Sequence, residues 1–390
     1  MKKIIALLLV FVMVAALFVG CKKDDKKNGA PKIDKSNMSV AMITDYGDIT
    51  DESFNQATYE GAKEWCEANK IDFTYFKPTG DSTEARVAAI EKAIDEGYDV
   101  ILMPGYAFAE AIVETVEEYP DVIFIALDVS EYDLQAAKHP DQVAKNEDFP
   151  FDWEYPANLY SAVYQEELAG YMAGVAAVKL GYEKIGYLGG MAVPAVVRYG
   201  YGFVQGVNDA AKELGKTDKI EVKYVYGNQF YGDADITAYM DTWYADGTEV
   251  VFACGGGIYT SAAEAAKKVG GKVIGVDVDQ KATIDGKYGA GMTVTSAMKG
   301  LAATVKTMLQ KVSDGKFEGG KVENLGLVSD TPADNYVQLA PSTQWADGFK
   351  EADYNELVKA LKAGTIKVSN ATDKAPEVEI KVDYQGNIKG

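Results

Sequence analysis

The chain has 390 residues, 47% hydrophobic and 25% charged, which rules out a disordered chain and a polytopic membrane protein. Lys and Arg number 39 against 59 Asp and Glu, a formal charge of −20. That balance argues against nucleic acid as a partner, because affinity for phosphates comes from cationic side chains, and against a polybasic membrane surface; it suits neutral or cationic ligands.

Lys2 and Lys3 precede an unbroken apolar run over 4–19, 16 residues long. A permanent helical span needs about 20 residues, so the run reads as the h-region of a signal peptide. It ends Phe18-Val19-Gly20-Cys21, a small residue then cysteine. This resembles a bacterial lipobox, with Phe18 where leucine is usual, and makes Cys21 the lipidation site and new N-terminus. Loss of residues 1–20 takes two lysines and no acid, so −20 becomes −22. Residues 22–36 hold six lysines, three aspartates and Gly29-Ala30-Pro31 with no apolar period, and read as a flexible tether over 21–37. The other two cysteines, Cys66 and Cys254, sit in apolar surroundings and read as buried small hydrophobes, not as a disulfide.

From residue 38 strand and helix alternate. Apolar runs at 40–44, 73–76, 100–103 and 122–127 predict strands. Helical spacing predicts helices over 51–66, 81–97 and 107–118, with Asp51, Glu52 and Ser53 supplying acidic and capping residues to the first. Residues 130–158, with Pro140, Pro150, Pro156 and many charges, read as a long loop. A helix over 160–180 follows, Gly170 and Gly174 allowing close packing. Then come strands at 185–188, 220–225, 249–253 and 273–276, with helices over 200–214, 235–246 and 260–269 between them. Further strands are expected within 321–338 and 378–384. The expected fold is α/β, with two doubly wound parallel-sheet lobes joined by a hinge. Lobe 1 is expected over 38–129 plus about 278–310, and lobe 2 over about 130–277 plus 311–390. A ligand then belongs in the cleft between the lobes, beyond the carboxyl ends of the strands.

Catalytic machinery is not legible. His139 is the lone histidine, in a charged loop with no GxSxG-type nucleophile, and there is no CxxC or metal-ligand spacing. Gly255-Gly256-Gly257 lacks GxGxxG spacing and a P-loop lysine, so it reads as a turn where backbone approaches a ligand. No cofactor, no metal and no catalytic residue is expected. The strand ends carry the information. Asp45 follows the first strand, with Phe54 and Asn55 in the next helical turn; Phe54 can serve the core or a ligand. Asp128, Tyr226-Gly227-Asn228-Gln229-Phe230, the three glycines and Asp277 follow other strands. Acids and aromatics therefore converge where a cleft belongs, a combination suited to a sugar or a nucleoside.

The lipobox, DYGDITDESFNQ over 45–56, GYLGGM over 186–191, YGYGFVQG over 199–206, GGGIY over 255–259 and IGVDVDQ over 274–280 together resemble the basic membrane protein (BMP) family. These are substrate-binding lipoproteins of ABC transporters of the purine nucleoside receptor A type. The resemblance spans roughly 38–310. It implies a type I periplasmic-binding fold with three hinge crossovers and a purine nucleoside ligand. It also implies an ABC permease as partner, a lipid anchor on the extracytoplasmic face of a bacterium, and a monomer. Residue by residue, it assigns Asp45 and Asn55 to the purine edge and Phe54 and Phe230 to an aromatic sandwich, with Tyr231 a substitute for the latter. Gly255 becomes a close backbone contact, Asp277 and Lys299 ribose partners, and Asp128 an acid near the hinge. The 130–158 insertion and the stretch after Lys321 depart from the pattern. A sugar or signalling molecule on the same fold, and a secreted nucleoside-processing enzyme, stay as alternatives.

Overall fold

The structure is a computed structural model that describes residues 29–45 and 47–390. The expected leader, the lipidation of Cys21 and the first part of the tether lie outside the described residues.

The first set of elements runs β1 (Ser39–Ile43), α1 (Phe54–Asn69), β2 (Asp72–Phe76), α2 (Thr83–Asp95), β3 (Val100–Pro104), α3 (Ala109–Thr115), β4 (Ile123–Leu127), α4 (Glu131–Lys138), α5 (Pro140–Ala144) and β5 (Leu159–Tyr164). Helix α6 (Glu166–Lys179) leads to β6 (Lys184–Gly189), α7 (Pro194–Glu213), β7 (Glu221–Tyr226), α8 (Ala234–Ala245), β8 (Val250–Cys254), α9 (Tyr259–Val269), β9 (Lys272–Asp277), α10 (Lys281–Tyr288) and β10 (Thr293–Lys299). The chain closes with α11 (Leu301–Ser313), β11 (Lys321–Leu325), β12 (Val337–Leu339), α12 (Glu351–Lys362) and β13 (Lys381–Asn387).

Two sheets result, ordered β2-β1-β3-β4-β5-β11 and β13-β7-β6-β8-β9-β10-β12. Every pairing is parallel except β10 with β12. Strands β3 and β4 are buried at every residue, as a parallel strand covered by helices on both faces must be. Within each sheet five strands repeat one doubly wound order, second-first-third-fourth-fifth, so each has a topological switch point between its first and third strands. In the first sheet that is the β1/β3 gap, and in the second the β6/β8 gap. The chain passes between sheets three times: β5 to β6 through α6, β10 to β11 through α11, and β11 to β12.

Sheet membership differs from the expected lobe boundaries. Residues 159–164 form a strand of the first sheet, not the start of a helix, and β11 also joins that sheet, whereas β10 belongs to the second. The first lobe therefore runs to Tyr164 and regains the chain at α11, which packs on α1 where Gly61 faces Ala302. The 130–158 stretch is not all loop. Ser130 accepts from the Asp133 N–H at 3.1 Å and Asp133 answers at the Ser130 N–H at 2.9 Å, a capping box that starts α4.

The crossover helix α6 is buried almost all round. It lies against α7 so closely that a Cβ at Gly170 would sit 2.1 Å from the Tyr199 carbonyl, and one at Gly202 would sit 2.1 Å from the Glu167 carbonyl. Glycines on both helices thus fix the depth of the hinge-side packing. Cys66 and Cys254 are buried free thiols.

Candidate functional site

Between the carboxyl ends of the two sheets lies a cleft of about 870 Å³. All eight residues that the sequence marks for a ligand line it: Asp45, Phe54, Asn55 and Asp128 from the first lobe, and Phe230, Gly255, Asp277 and Lys299 from the second.

The first-lobe wall is set by the turn between β1 and α1. Asp51 accepts the N–H groups of Ser53, Asn55 and Gln56 at 2.9, 2.9 and 3.0 Å, so Asp51 satisfies the orphan donors of the first turn and Ser53 does not. Burial pushes the Asp51 carboxyl up to about 6 against those bonds. Asp45 accepts from the Gly47 N–H at 2.6 Å and from Asn55 Nδ2 at 3.2 Å. At the β1/β3 switch point a Cβ on Gly105 would lie 3.1 Å from Asp45 Oδ2.

The second-lobe wall is a glycine floor under a ring. A Cβ on Gly190 or Gly255 would lie 2.5 or 2.8 Å from Cδ1 of Phe230, and Gly255 holds φ 139°. The Phe230 ring therefore rests on the β6/β8 switch point. Tyr231, the alternative ring, also borders the cleft but is 63% exposed.

An ionic cluster joins the walls. Lys299 Nζ reaches Asp128 Oδ2 at 2.5 Å, Glu166 Oε1 at 3.4 Å and Asp277 Oδ1 at 3.9 Å, and Arg198 Nε reaches the other Glu166 oxygen at 2.6 Å. Lys299 also sits over the rings of Phe54, Tyr164 and Tyr199, 4.8 to 5.8 Å from their centroids. Burial works against the ammonium, but Asp128, Glu166 and Asp277 outweigh it and hold Lys299 above the usual lysine range. Burial pushes the Asp128 carboxyl up to about 6, with Lys299 opposing, and it also raises Asp277. Further bonds cross the cleft: Ser53 Oγ donates to Asp277 Oδ2 at 2.5 Å, Gln280 Nε2 to the Glu52 carbonyl at 2.9 Å, and Thr283 Oγ1 to Glu52 Oε2 at 3.0 Å. The lobes are therefore closed on each other.

Asp128, Asn228 and Asp277 hold φ between 59° and 64°, and Glu52 holds 55°. Left-handed backbone is uncommon outside glycine and clusters where a site over-determines it. Asp128 and Asn228 stand just past the ends of β4 and β7, and Asp277 is the last residue of β9; all three line the cleft.

Sequence reasoning missed Glu166, Arg198 and the acceptor role of Asp277 toward Ser53. A signal existed for the first two. Arg198 is one of two arginines in the chain, and Glu166-Glu167 open an otherwise apolar helix. His139 pairs with Asp152 at 3.0 Å and does not border the cleft. Among the described residues no group of His, Cys, Asp and Glu is placed to hold a metal ion, and no helix is long and apolar enough to cross a membrane.

The arrangement can grip a flat, hydroxyl-bearing small molecule between two lobes. Solved ABC transporter solute-binding proteins from Aeropyrum pernix K1 and Conexibacter woesei share the fold, with TM-scores of 0.64 and 0.62 at 19% and 21% identity; 85% of this chain is covered in both, and 87% and 99% of theirs. The ABC transporter nucleoside-binding protein BmpA of Lactococcus lactis subsp. cremoris is 27% identical over 344 residues, 84% of this chain and 89% of its own. Basic membrane protein A of Borreliella burgdorferi is 26% identical over 325 residues, 82% and 84%. The family model for PnrA-like ABC transporter substrate-binding proteins matches residues 38–373. With that match and the two-lobed cleft, the chain belongs to the PnrA-like family of ABC transporter substrate-binding proteins.

Proposed function

We propose that this chain is a lipid-anchored, extracytoplasmic receptor that captures a purine nucleoside and presents it to the permease of an ABC importer. One observation carries the reading: opposite lobes each supply a phenylalanine, Phe54 and Phe230, to a cleft that also holds Asp45, Asn55, Asp128, Asp277 and Lys299. Stacking a base on an aromatic ring contributes about 1–3 kcal/mol. A hydrogen bond to a charged group adds about 1.5–3 kcal/mol net. Two rings and a few such bonds reach the roughly −8 kcal/mol of a micromolar complex after association costs. In this reading the rings hold the base, Asp45 and Asn55 its edge, and Asp128, Asp277 and Lys299 the pentose, with Gly255 giving close backbone approach. Because the groups come from both lobes, ligand favours the closed arrangement, which the permease then meets. Cys21 carries the lipid.

A thermal-shift panel tests this. Ligand bound only by the native state raises melting by mass action. Purine nucleosides are expected to raise it, and pentoses and hexoses to leave it unchanged. Inosine incubated with the protein is expected to stay intact, with no free base. A response to sugars alone, or release of hypoxanthine, overturns the proposal.

A further inference from the structure

Resting on the importer reading, we infer that the 130–158 insertion is a docking platform for the permease and fits an extracytoplasmic loop that presents arginine. Three rings, Tyr132, Phe149 and Phe151, gather on it. Phe149 and Phe151 stack with centroids 5.8 Å apart and planes 10° apart, and Tyr132 lies 5.4 and 6.4 Å from them. His139 stacks on Phe149 at 5.9 Å. Although they pack on one another, Tyr132 is 58% and Phe151 55% exposed. Of the nine large hydrophobic side chains exposed among the described residues, three, Tyr132, Val143 and Phe151, fall within this insertion. An exposed apolar patch rimmed by polar residues marks an interaction surface.

The exposed rings do not serve the insertion's own core. Leu134 and Trp153 do that, buried against the first lobe. The Gln135 side chain donates to the Trp153 carbonyl at 2.9 Å and accepts from the Trp153 N–H at 3.1 Å, and Trp153 Nε1 donates to Glu117 at 2.8 Å. With the capping box at Ser130 and the His139–Asp152 pair, these bonds hold the platform in one form before a partner arrives, which lowers the ordering cost of binding.

Place and charge identify the partner. Ser130 and Asp133 line the cleft, so the helix that carries Tyr132 starts at its border. Tyr231 borders the cleft from the second lobe and is likewise exposed. A protein that takes ligand from the cleft therefore meets exposed rings on both lobes, at a spacing set by closure. The insertion holds seven acids against two lysines, and six of the acids are exposed. Of the lysines, Lys138 is already engaged, 3.5 Å from Glu117 and over the Trp153 ring. Ring faces beside carboxylates attract guanidinium groups, which lie flat on the one and bond the other. The same acids repel an anionic membrane surface and a second copy of a chain whose net charge is −20.

Tyr132→Ser combined with Phe151→Ser tests the platform, because neither residue borders the cleft. The purified double variant is expected to melt like the parent and to bind inosine with unchanged affinity by titration calorimetry. In cells of the bacterium that encodes the chain, with the chromosomal copy replaced, uptake of labelled inosine above that of cells lacking the chain is expected to fall about tenfold or more, as loss of an aromatic anchor does at an interface. Uptake equal to the parent's overturns the inference. So does weakened inosine binding, which would make the rings part of the cleft. Glu147→Lys combined with Asp148→Lys, both on the exposed surface, is expected to lower uptake in the same way without touching a ring; parental uptake in that variant overturns the arginine-bearing partner. Self-association of the parent in sedimentation, abolished in the ring variant, assigns the platform to a second copy and overturns the inference as well. Each of these results leaves the importer reading intact, whereas inosine uptake that is the same with and without the chain overturns that reading and the inference together.

Discussion

Replacing Glu167 by glutamine isolates the electrostatics of the crossover. Glu167 is buried at the start of α6, its Oε2 without a partner, beside Glu166. Burial pushes its carboxyl from 4.5 up to about 7, with the Glu166 charge adding and Arg198 opposing. The folded pKa thus lies above the unfolded one, so folding favours the protonated form. Its contribution is present in full below pH 4.5 and is lost as pH rises through about 7. At about 1.4 kcal/mol per pKa unit, the chain loses roughly 2 kcal/mol from this group between pH 5 and pH 8. Glutamine keeps the shape without the charge and removes that loss. Urea unfolding of parent and Glu167→Gln at both pH values reads the difference, because Asp51 and Asp128 titrate in both proteins and cancel. The variant is expected to gain roughly 2 kcal/mol on the parent between pH 5 and pH 8. An equal offset at the two pH values refutes the argument and means that Glu167 finds solvent or a cation on folding.

Three further outcomes follow from the site and the chain ends. Phe54→Ala and Phe230→Ala are each expected to weaken nucleoside binding by about 1–3 kcal/mol by titration calorimetry; unchanged affinity in both removes the stacking role. Lys389 pairs with Asp233 and reaches Gln229 Oε1 at 3.1 Å, tying the segment beyond β13 to the turn that carries Phe230. An ion pair open to solvent contributes little to stability, so Lys389→Gln is expected to leave melting nearly unchanged while speeding ligand release in stopped-flow fluorescence; the same release rate sinks this anchoring role. Cys21→Ser is expected to abolish palmitate labelling and to shift the protein from the membrane fraction to the medium, and continued labelling would place the lipid elsewhere.

Much of the fold was legible because its strands are covered on both faces. Runs such as Val100–Pro104 and Ile123–Leu127 are apolar without a break, and each is followed at once by a residue that lines the cleft, Gly105 and Asp128. What failed has particular causes. The Leu159–Tyr164 strand runs into α6 with one residue between, and α6 is buried nearly all round, so no change of apolar period marks the boundary. The capping box at Ser130 and Asp133 was present in the sequence, but the density of charge and proline around it reads as loop. Strand β10 looked like any other; nothing local tells which of two similar sheets a strand joins. Asp45, Asp128, Phe230, Gly255 and Asp277 were found because they sit at or just after strand ends, Phe54 and Asn55 because they open the helix that follows the first strand, and Lys299 through the family resemblance. Glu166 and Arg198 were not, because one starts a crossover helix and the other lies inside α7, and the Lys299 that Glu166 meets is 133 residues away in the chain.

The ionic cluster at the cleft is better understood as registration than as adhesion. Taking an ion out of water costs several kcal/mol, and an ion pair in the interior does little more than offset it. Lys299 is 3% exposed and Glu166 fully buried, so their attraction is not a surplus that holds the lobes shut. The geometry is informative instead. Lys299 extends from the end of β10, Asp128 stands past β4 in the other lobe, Glu166 opens the crossover and Asp277 ends β9. Any sliding of one lobe on the other separates charges that cannot be left unpaired away from water, so the closed arrangement is narrow even though it is not deep. Asp128 still holds one oxygen without a donor. In the proposed reading, ligand contacts on both lobes make that shallow closed state the favoured one when the cleft is filled.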